Sequence, residues 1–212
     1  MMNVSRYDET ARGVHVPLYA YYAEKIKAET GVVSGSCLDA GCGGGYLGLA
    51  LSKITDLRFI FFDRSAEMLQ RAEAHIVEDG LRERARTLHG DVHDIPLPDG
   101  TLDLVISRGS IPFWKDPGAA LLEFYRLLAP KGQAFVGGGK GTPEMRRRFE
   151  AEREQAGKMS SRGRRGKKDP WAGPLGRMKH RDYHVILEET GIPSYSIHDG
   201  DDGRWIQLWK SY

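Results

Sequence analysis

Cysteine is nearly absent: the 212 residues hold two, Cys37 and Cys42. Two are too few for a disulfide-stapled secreted fold, and a strand residue and a turn residue point in different directions, so no bridge is expected between them. C-x4-C without a nearby histidine or further cysteine is a poor metal pattern, which leaves small buried side chains as the expectation. The histidines His75, His89, His93, His180, His184 and His198 are scattered without ligand spacing. No apolar run approaches the roughly 18 residues of a membrane span, and no basic-then-apolar leader opens the chain. These absences predict a cytoplasmic protein with no membrane partner and no metal.

Net charge is also small, +2, so the whole molecule is not a polycation. The charge is unevenly spread, however. Lys140 to Asp182 carries 14 Lys/Arg against 6 Asp/Glu, a net +8 that leaves −6 for the rest of the chain. With 40% hydrophobic and 28% charged residues, the composition is that of a soluble globular protein. The length predicts one domain over 1–212, with an N-terminal helical cover (1–31) and a basic lid or insertion at about 140–182.

Strand and helix patterns alternate. Strands are expected at Ser36–Ala40, Leu57–Phe62, Ala85–His89, Leu102–Ser107 and Gln133–Val136. Helices are expected at Leu18–Glu29, Gly45–Ile54, from the Ser65 cap to Gly80, and at Lys115–Leu128 before Pro130-Lys131-Gly132. This rhythm implies βαβ units, hence a parallel sheet with helices on both faces. It then breaks. Glu144–Gln155 looks helical, Gly157–Gly176 has the composition of a mobile loop or lid, and His180–Thr190 is a final helix. Tyr195–His198 and Arg204–Lys210 flank Asp199-Gly200-Asp201-Asp202-Gly203, a hairpin signal.

The densest motif is Cys37 to Gly48, C-L-D-A-G-C-G-G-G-Y-L-G. An apolar run ends in Asp39, a turn follows with Gly41, Gly43, Gly44 and Gly45, and a helix can open at Tyr46. Such a turn lets a backbone approach a ligand closely and aims helix N-terminal N–H groups at it. Counted from Gly43, Gly48 also fits a dinucleotide spacing, so the glycines alone do not choose a ligand. The carboxylate of Asp39 would repel a pyrophosphate and attract an ammonium group.

The D-A-G-C-G-G-G stretch resembles the first motif of class I S-adenosylmethionine (SAM)-dependent methyltransferases, and the resemblance covers about residues 36–136. It implies an α/β three-layer sandwich around a seven-stranded, mostly parallel sheet of order 3-2-1-4-5-7-6, with the last strand antiparallel. It also implies SAM as cofactor, with S-adenosylhomocysteine (SAH) as product, and places Asp39 at the methionine end with Gly41, Gly43 and Gly45 beneath the ligand. Asp63-Arg64-Ser65 resembles the family's D-x-S. A carboxylate there matches a ribose diol, although Asp63 also suits a helix cap. Arg64 and Met68 are carried over with it as cofactor contacts. Gly90 to Ser107 resembles the family's third and fourth motifs, which assigns adenine to Asp91 and Val92 and puts Ser107 at the cofactor; Asp103 is expected to be structural.

Substrate determinants are less clear. Ser107 to Trp114 lies where ligands bind in open α/β folds, at the carboxyl ends of the strands. Many small-molecule members have an H-H-W-like segment there; this chain has Pro112-Phe113-Trp114. Arg108 could bind an anionic group, and Phe113, Trp114 and Tyr19 are substrate-side candidates, with core packing an equal alternative for Trp114. His93 and Arg108 are weak catalytic candidates. Gly137–Gly141 allows close approach or movement. The expected function is methyl transfer to a small molecule. Alternatives are a SAM/SAH-binding regulatory module, an RNA or DNA methyltransferase using the basic 146–168 segment, and a nicotinamide dehydrogenase. No N-P-P-Y-like segment follows the fourth strand, which disfavours the DNA-base option.

Overall fold

The computed structural model describes residues 8–9, 11–13, 15–160 and 183–211. In chain order the elements are α1 (Val16–Thr30), β1 (Ser34–Ala40), α2 (Tyr46–Ser52), β2 (Asp56–Asp63), α3 (Ala66–Glu78), β3 (Ala85–His89), β4 (Leu102–Arg108) and a short 3-10 turn (Ile111–Phe113). There follow α4 (Pro117–Leu127), β5 (Leu128–Gly138), α5 (Pro143–Ser160), α6 (Tyr183–Thr190), β6 (Tyr195–Gly200) and β7 (Gly203–Trp209). The loop was expected from Gly157, but α5 continues to Ser160; the rest of that loop, from 161 onward, and the start of the last helix before Tyr183 lie outside the described residues.

All seven strands form one sheet of order β3-β2-β1-β4-β5-β7-β6. The first five are parallel, and β7 runs antiparallel to both β5 and β6. This is the order and sense implied by the resemblance. The hairpin pairs Gly200 with Gly203, so Asp201-Asp202 is a two-residue turn.

Strand alternation sorts the core into two layers. Cys37, Phe59, Phe61, Leu104, Ile106, Phe135 and Trp205 point to one face, where Leu18, Tyr22 and Ile26 of α1 and Leu69, Ala72 and Ile76 of α3 cover them. Leu38, Ala40, Phe62, Val105, Ala134, Val136 and Ile206 point to the other, under Leu121, Phe124 and Leu127 of α4 and Leu187 of α6. Both faces are apolar because both are covered, as a doubly wound sheet requires.

The helix ends follow their caps. Ser65 Oγ accepts the Met68 N–H at 3.3 Å and Asp116 Oδ1 that of Ala119 at 3.0 Å, while Gly31, at φ 66°, closes α1. The start of β5 differs from expectation. The helix α4 ends at Leu127, and β5 begins at Leu128, five residues before Gln133. Pro130-Lys131-Gly132 is therefore part of the strand rather than a helix stop. Leu128 pairs with Leu102, Lys131 donates its N–H to Lys210 O and Gly132 O accepts from Lys210, so sheet partners outweigh the local breaker signal.

Candidate functional site

The site is built at the carboxyl ends of β1 to β4. Gly41, Gly43 and Gly45 have φ of 67°, 55° and 85°, a left-handed path that other residues adopt only with strain. The turn is tied to β2: Phe62 O accepts from Gly41 N (2.8 Å) and Cys42 N (3.0 Å), and Asp63 Oδ2 accepts from Gly43 N (2.8 Å). A Cβ on Gly41 would lie 2.8 Å from Ser110 Cβ, so the turn also packs against the segment after β4.

Asp39 is buried, and its Oδ2 accepts the N–H of Gly48 at 2.9 Å. Burial raises its carboxyl to about 7; the nearby charge of Asp63 adds to the rise and the Gly48 N–H opposes it. An incoming cation would draw the group back to carboxylate. Gly48 makes this possible: a Cβ there would sit 2.4 Å from Phe61 Cε1 and 3.0 Å from Asp39 Oδ2. Its role is thus close helix–strand packing, which its spacing alone did not reveal.

Asp63 spends one lone pair of each oxygen on the backbone. Oδ2 takes Gly43 N, and Oδ1 takes Ser65 N at 2.8 Å. The cap role is real, and it leaves about two of the four acceptor positions of a carboxylate for a diol. Arg64 is exposed and Met68 is buried. Asp91 is exposed, with a carboxyl held below the usual range by the backbone N–H and then the ring of His93. Val92 is buried beside it.

Several candidates have committed side chains. Ser107 is wholly buried; its hydroxyl donates to Ala40 O and meets Ser110 Oγ, bracing the ends of β1 and β4. The Nδ1 of His93 faces Asp91 Oδ1 while Nε2 accepts the Asp116 N–H at 3.2 Å, so this ring bridges two loops instead of standing free as a base. Trp114 is 6% exposed and packs edge-on against Phe124 at 5.5 Å, the core alternative, whereas Phe113 is 45% exposed. Asp103 is structural: its Oδ2 accepts Ser36 N at 2.7 Å. Cys37 and Cys42 are buried free thiols, pushed up chiefly by burial.

The β5 side of the mouth is closed by α1. Tyr22 OH donates to Asp202 O and accepts from Gly141 N (2.9 Å), and Asp202 is further held by Lys25 at 2.8 Å and Tyr21 OH at 2.9 Å. Gly137 and Gly139 lie so tightly against the hairpin backbone that a Cβ would come within 2.3 Å of Arg204 O and 1.9 Å of Asp202 O, which makes close approach their reason. Tyr19 is buried under the Arg108 guanidinium. His15 was missed by sequence reasoning. It precedes α1, and only the fold brings it near Arg108 and against Phe149 at 5.3 Å; burial first, and then the Arg108 charge, lower its pKa.

A doubly wound sheet with a left-handed glycine turn after β1, and acids at the ends of β1, β2 and β3, defines a nucleoside-binding protein of the methyltransferase type. A family model described as a methyltransferase domain matches residues 38–136. Over 99% of its length the chain superposes, with a TM-score of 0.84 and 34% identity, on a Methanococcus maripaludis protein assigned to the S-adenosyl-L-methionine-dependent methyltransferases, covering 92% of that chain. The chain belongs to the class I SAM-dependent methyltransferases. A SAM-dependent methyltransferase of Aquifex aeolicus shares the fold at 20% identity, with a TM-score of 0.67 and 99% of both chains covered. Among curated relatives, malonyl-[acyl-carrier protein] O-methyltransferase of Yersinia pestis is 39% identical over 95 residues, 45% of this chain and 33% of that one. A rice chloroplastic 2-methyl-6-phytyl-1,4-hydroquinone methyltransferase is 32% identical over 100 residues, 47% of this chain and 29% of that one. The match thus spans about a third of the length of these curated relatives.

Proposed function

We propose that the protein transfers the methyl group of SAM to a small-molecule acceptor. The observation that carries the proposal is the row of Asp39, Asp63 and Asp91 at three adjacent strand ends around the glycine turn. One adenosyl ligand with an ammonium end accounts for all three acids. The residues fit that group: the turn has no Cβ where the ligand must pass, Asp63 keeps acceptor positions for the ribose, and buried Asp39 gains from a cation.

When bound, SAM would supply a methyl carbon already made electrophilic by the sulfonium. The protein's task is to hold both partners in line, and proximity supplies much of the rate. Asp39 would hold the amino-acid end, Asp63 the ribose, and Asp91 with Val92 the base. The two curated relatives named above act, by their names, on unlike acceptors, malonyl-[acyl-carrier protein] and 2-methyl-6-phytyl-1,4-hydroquinone, so kinship to them does not select an acceptor for this chain.

A nucleic-acid acceptor is the weaker reading. Of the arginines on α5, Arg146 donates to Asp201 O and Arg148 is paired with Glu152, so their charge is partly spent within the protein. The proposal is tested by calorimetric titration of SAH into the wild type and Asp63→Ala, alongside methyl-transfer assays on a small-molecule library. We expect at least tenfold weaker SAH binding in the variant, with a single cooperative melt whose Tm is lowered by the loss of the Gly43 and Ser65 bonds. Equal affinities would refute the ribose assignment, and tight SAM binding without product from any acceptor would support a regulatory module instead. Methyl transfer to RNA, with binding that falls steeply with salt, would overturn the small-molecule assignment.

A further inference from the structure

The guanidinium of Arg108 is the least satisfied charged group at the mouth. Its Nη2 donates to Gly139 O at 3.0 Å, and no other of its five donors has a hydrogen-bond partner among the described residues. The Nε is shut off from solvent without one. Arginines elsewhere in the fold are well provided for. Arg84 donates to the carbonyls of Ser52, Thr55 and Leu57, and Arg126 to Glu123, Asp99 and two carbonyls. A half-buried cation left in this state is costly unless something else neutralises it.

The protein does not supply that partner among its described residues. The acid at this end of the hairpin, Asp202, is engaged by Lys25 and Tyr21; burial alone would raise its carboxyl, and these bonds outweigh burial and hold it low. Glu152, which acts on His15 from α5, is held through Oε1 by Arg148 at 3.0 Å, while its Oε2 is buried without a hydrogen-bond partner among the described residues. Neither forms an ion pair with Arg108. Instead the guanidinium plane is fixed by aromatic faces, 5.0 Å from the Tyr19 ring centre and 5.2 Å from that of Tyr22. Tyr22 cannot swing away, because its hydroxyl clamps the hairpin turn and Gly141. A rigid, half-buried fork with unspent donors is a receptor for an oxyanion.

Its position says which ligand. The donor contacts lie at the ends of β1, β2 and β3. Arg108 ends β4 and is anchored on the far side, to the loop after β5, one strand spacing (~4.8 Å) further from the donor. We infer that Arg108, held on Tyr19 and Tyr22, is the anion-reading end of the acceptor site, so that the methyl acceptor carries a carboxylate or phosphate group distinct from the atom methylated. The inference rests on the methyltransferase reading above.

The test uses the full chain saturated with SAH. Benzoate and inorganic phosphate are titrated as oxyanion probes, with benzamide as the neutral control, against the wild type, Arg108→Gln and Arg108→Lys. We expect saturable binding of benzoate or phosphate but not of benzamide. It should weaken at least tenfold in Arg108→Gln and recover in part in Arg108→Lys, with SAH affinity within twofold throughout. Benzoate binding alone assigns a carboxylate, and phosphate binding alone a phosphate ester. If Arg108→Gln instead loses SAH affinity tenfold, the arginine holds the donor's own carboxylate and the proposal is wrong. It is equally wrong if both anions bind Arg108→Gln as they bind wild type, or bind neither while SAH binds well. Failure of the wild type to bind SAH at all would strike the donor assignment itself, a separate result.

Discussion

Replacing Asp39 with asparagine should stabilise the protein while harming its function, and the pH dependence of that gain is the diagnostic. The Asp39 carboxyl rises from 3.8 to about 7 because folding removes it from water beside Asp63. Between those values the native state binds the proton more tightly than the unfolded chain does. The contribution of this group to stability therefore falls as pH rises through the window, and above 7 the full cost of a buried charge is felt. A rise of that size corresponds to a cost on the order of 4 kcal/mol. Asparagine removes that cost, and its carbonyl can still accept the Gly48 N–H. Its amide hydrogens need partners, however, at about 1–3 kcal/mol if they find none.

The net gain above pH 8 should thus be about 1–3 kcal/mol, which for a chain of this size is several degrees in Tm. Near pH 4.5 the native wild type is already protonated, so the gain should vanish or turn slightly negative. The assay is a thermal melt of ligand-free wild type and Asp39→Asn across pH 4.5 to 8.5. A difference in Tm that stays constant across this range, or is larger in acid, would show that Asp39 is not a strained buried carboxylate. Adding SAM should reverse the order at pH 8, because the wild type regains stability from ligand binding and the variant recovers less.

Two further substitutions probe the frame around the site. Gly48→Ala gains about 1 kcal/mol of helix propensity, yet its methyl must displace the buried Phe61 ring, and we expect a net loss of about 1–2 kcal/mol, read as a Tm several degrees lower; an equal or higher Tm would refute the packing argument. Tyr22→Phe removes the hydroxyl that serves both Asp202 O and Gly141 N, at a cost of about 2–3 kcal/mol, and amide exchange should quicken at Gly141 and in the β6–β7 turn; unaltered protection there would show the clamp to be idle.

The donor half was legible because its determinants are local. Asp39 to Gly48 spans one strand, one turn and one helix start, and the left-handed glycines and terminal acid follow directly from spacing. Asp63 was read as both cap and ligand; the geometry shows the cap bonds, and a carboxylate has acceptors enough to leave room for the other role. The acceptor half was not legible, for a physical reason. Tyr22 meets Asp202 across 180 residues, and His15 reaches Arg108 only after α1 folds over the sheet. No periodicity records such meetings. Trp114 shows the same limit from the other direction: an aromatic at the mouth is compatible with a ligand wall or a core, and only Phe124 beneath it decides for the core.

The two halves differ in what a substitution can change. On the proposed donor side each acid makes local bonds only, Asp39 to Gly48 and Asp63 to Gly43 and Ser65, so altering one disturbs one turn and not the closure of the sheet. On the acceptor side Tyr22 serves three things at once: it carries the Arg108 guanidinium on its ring, ties down the β6–β7 turn and holds Gly141 after β5. Losing it would loosen the hairpin and the arginine together. Among the described residues, Arg108 itself donates only to Gly139 O. It can therefore be exchanged with less structural consequence than Tyr22, and acceptor chemistry can be altered there while the donor site and the closure of the sheet stay as they are.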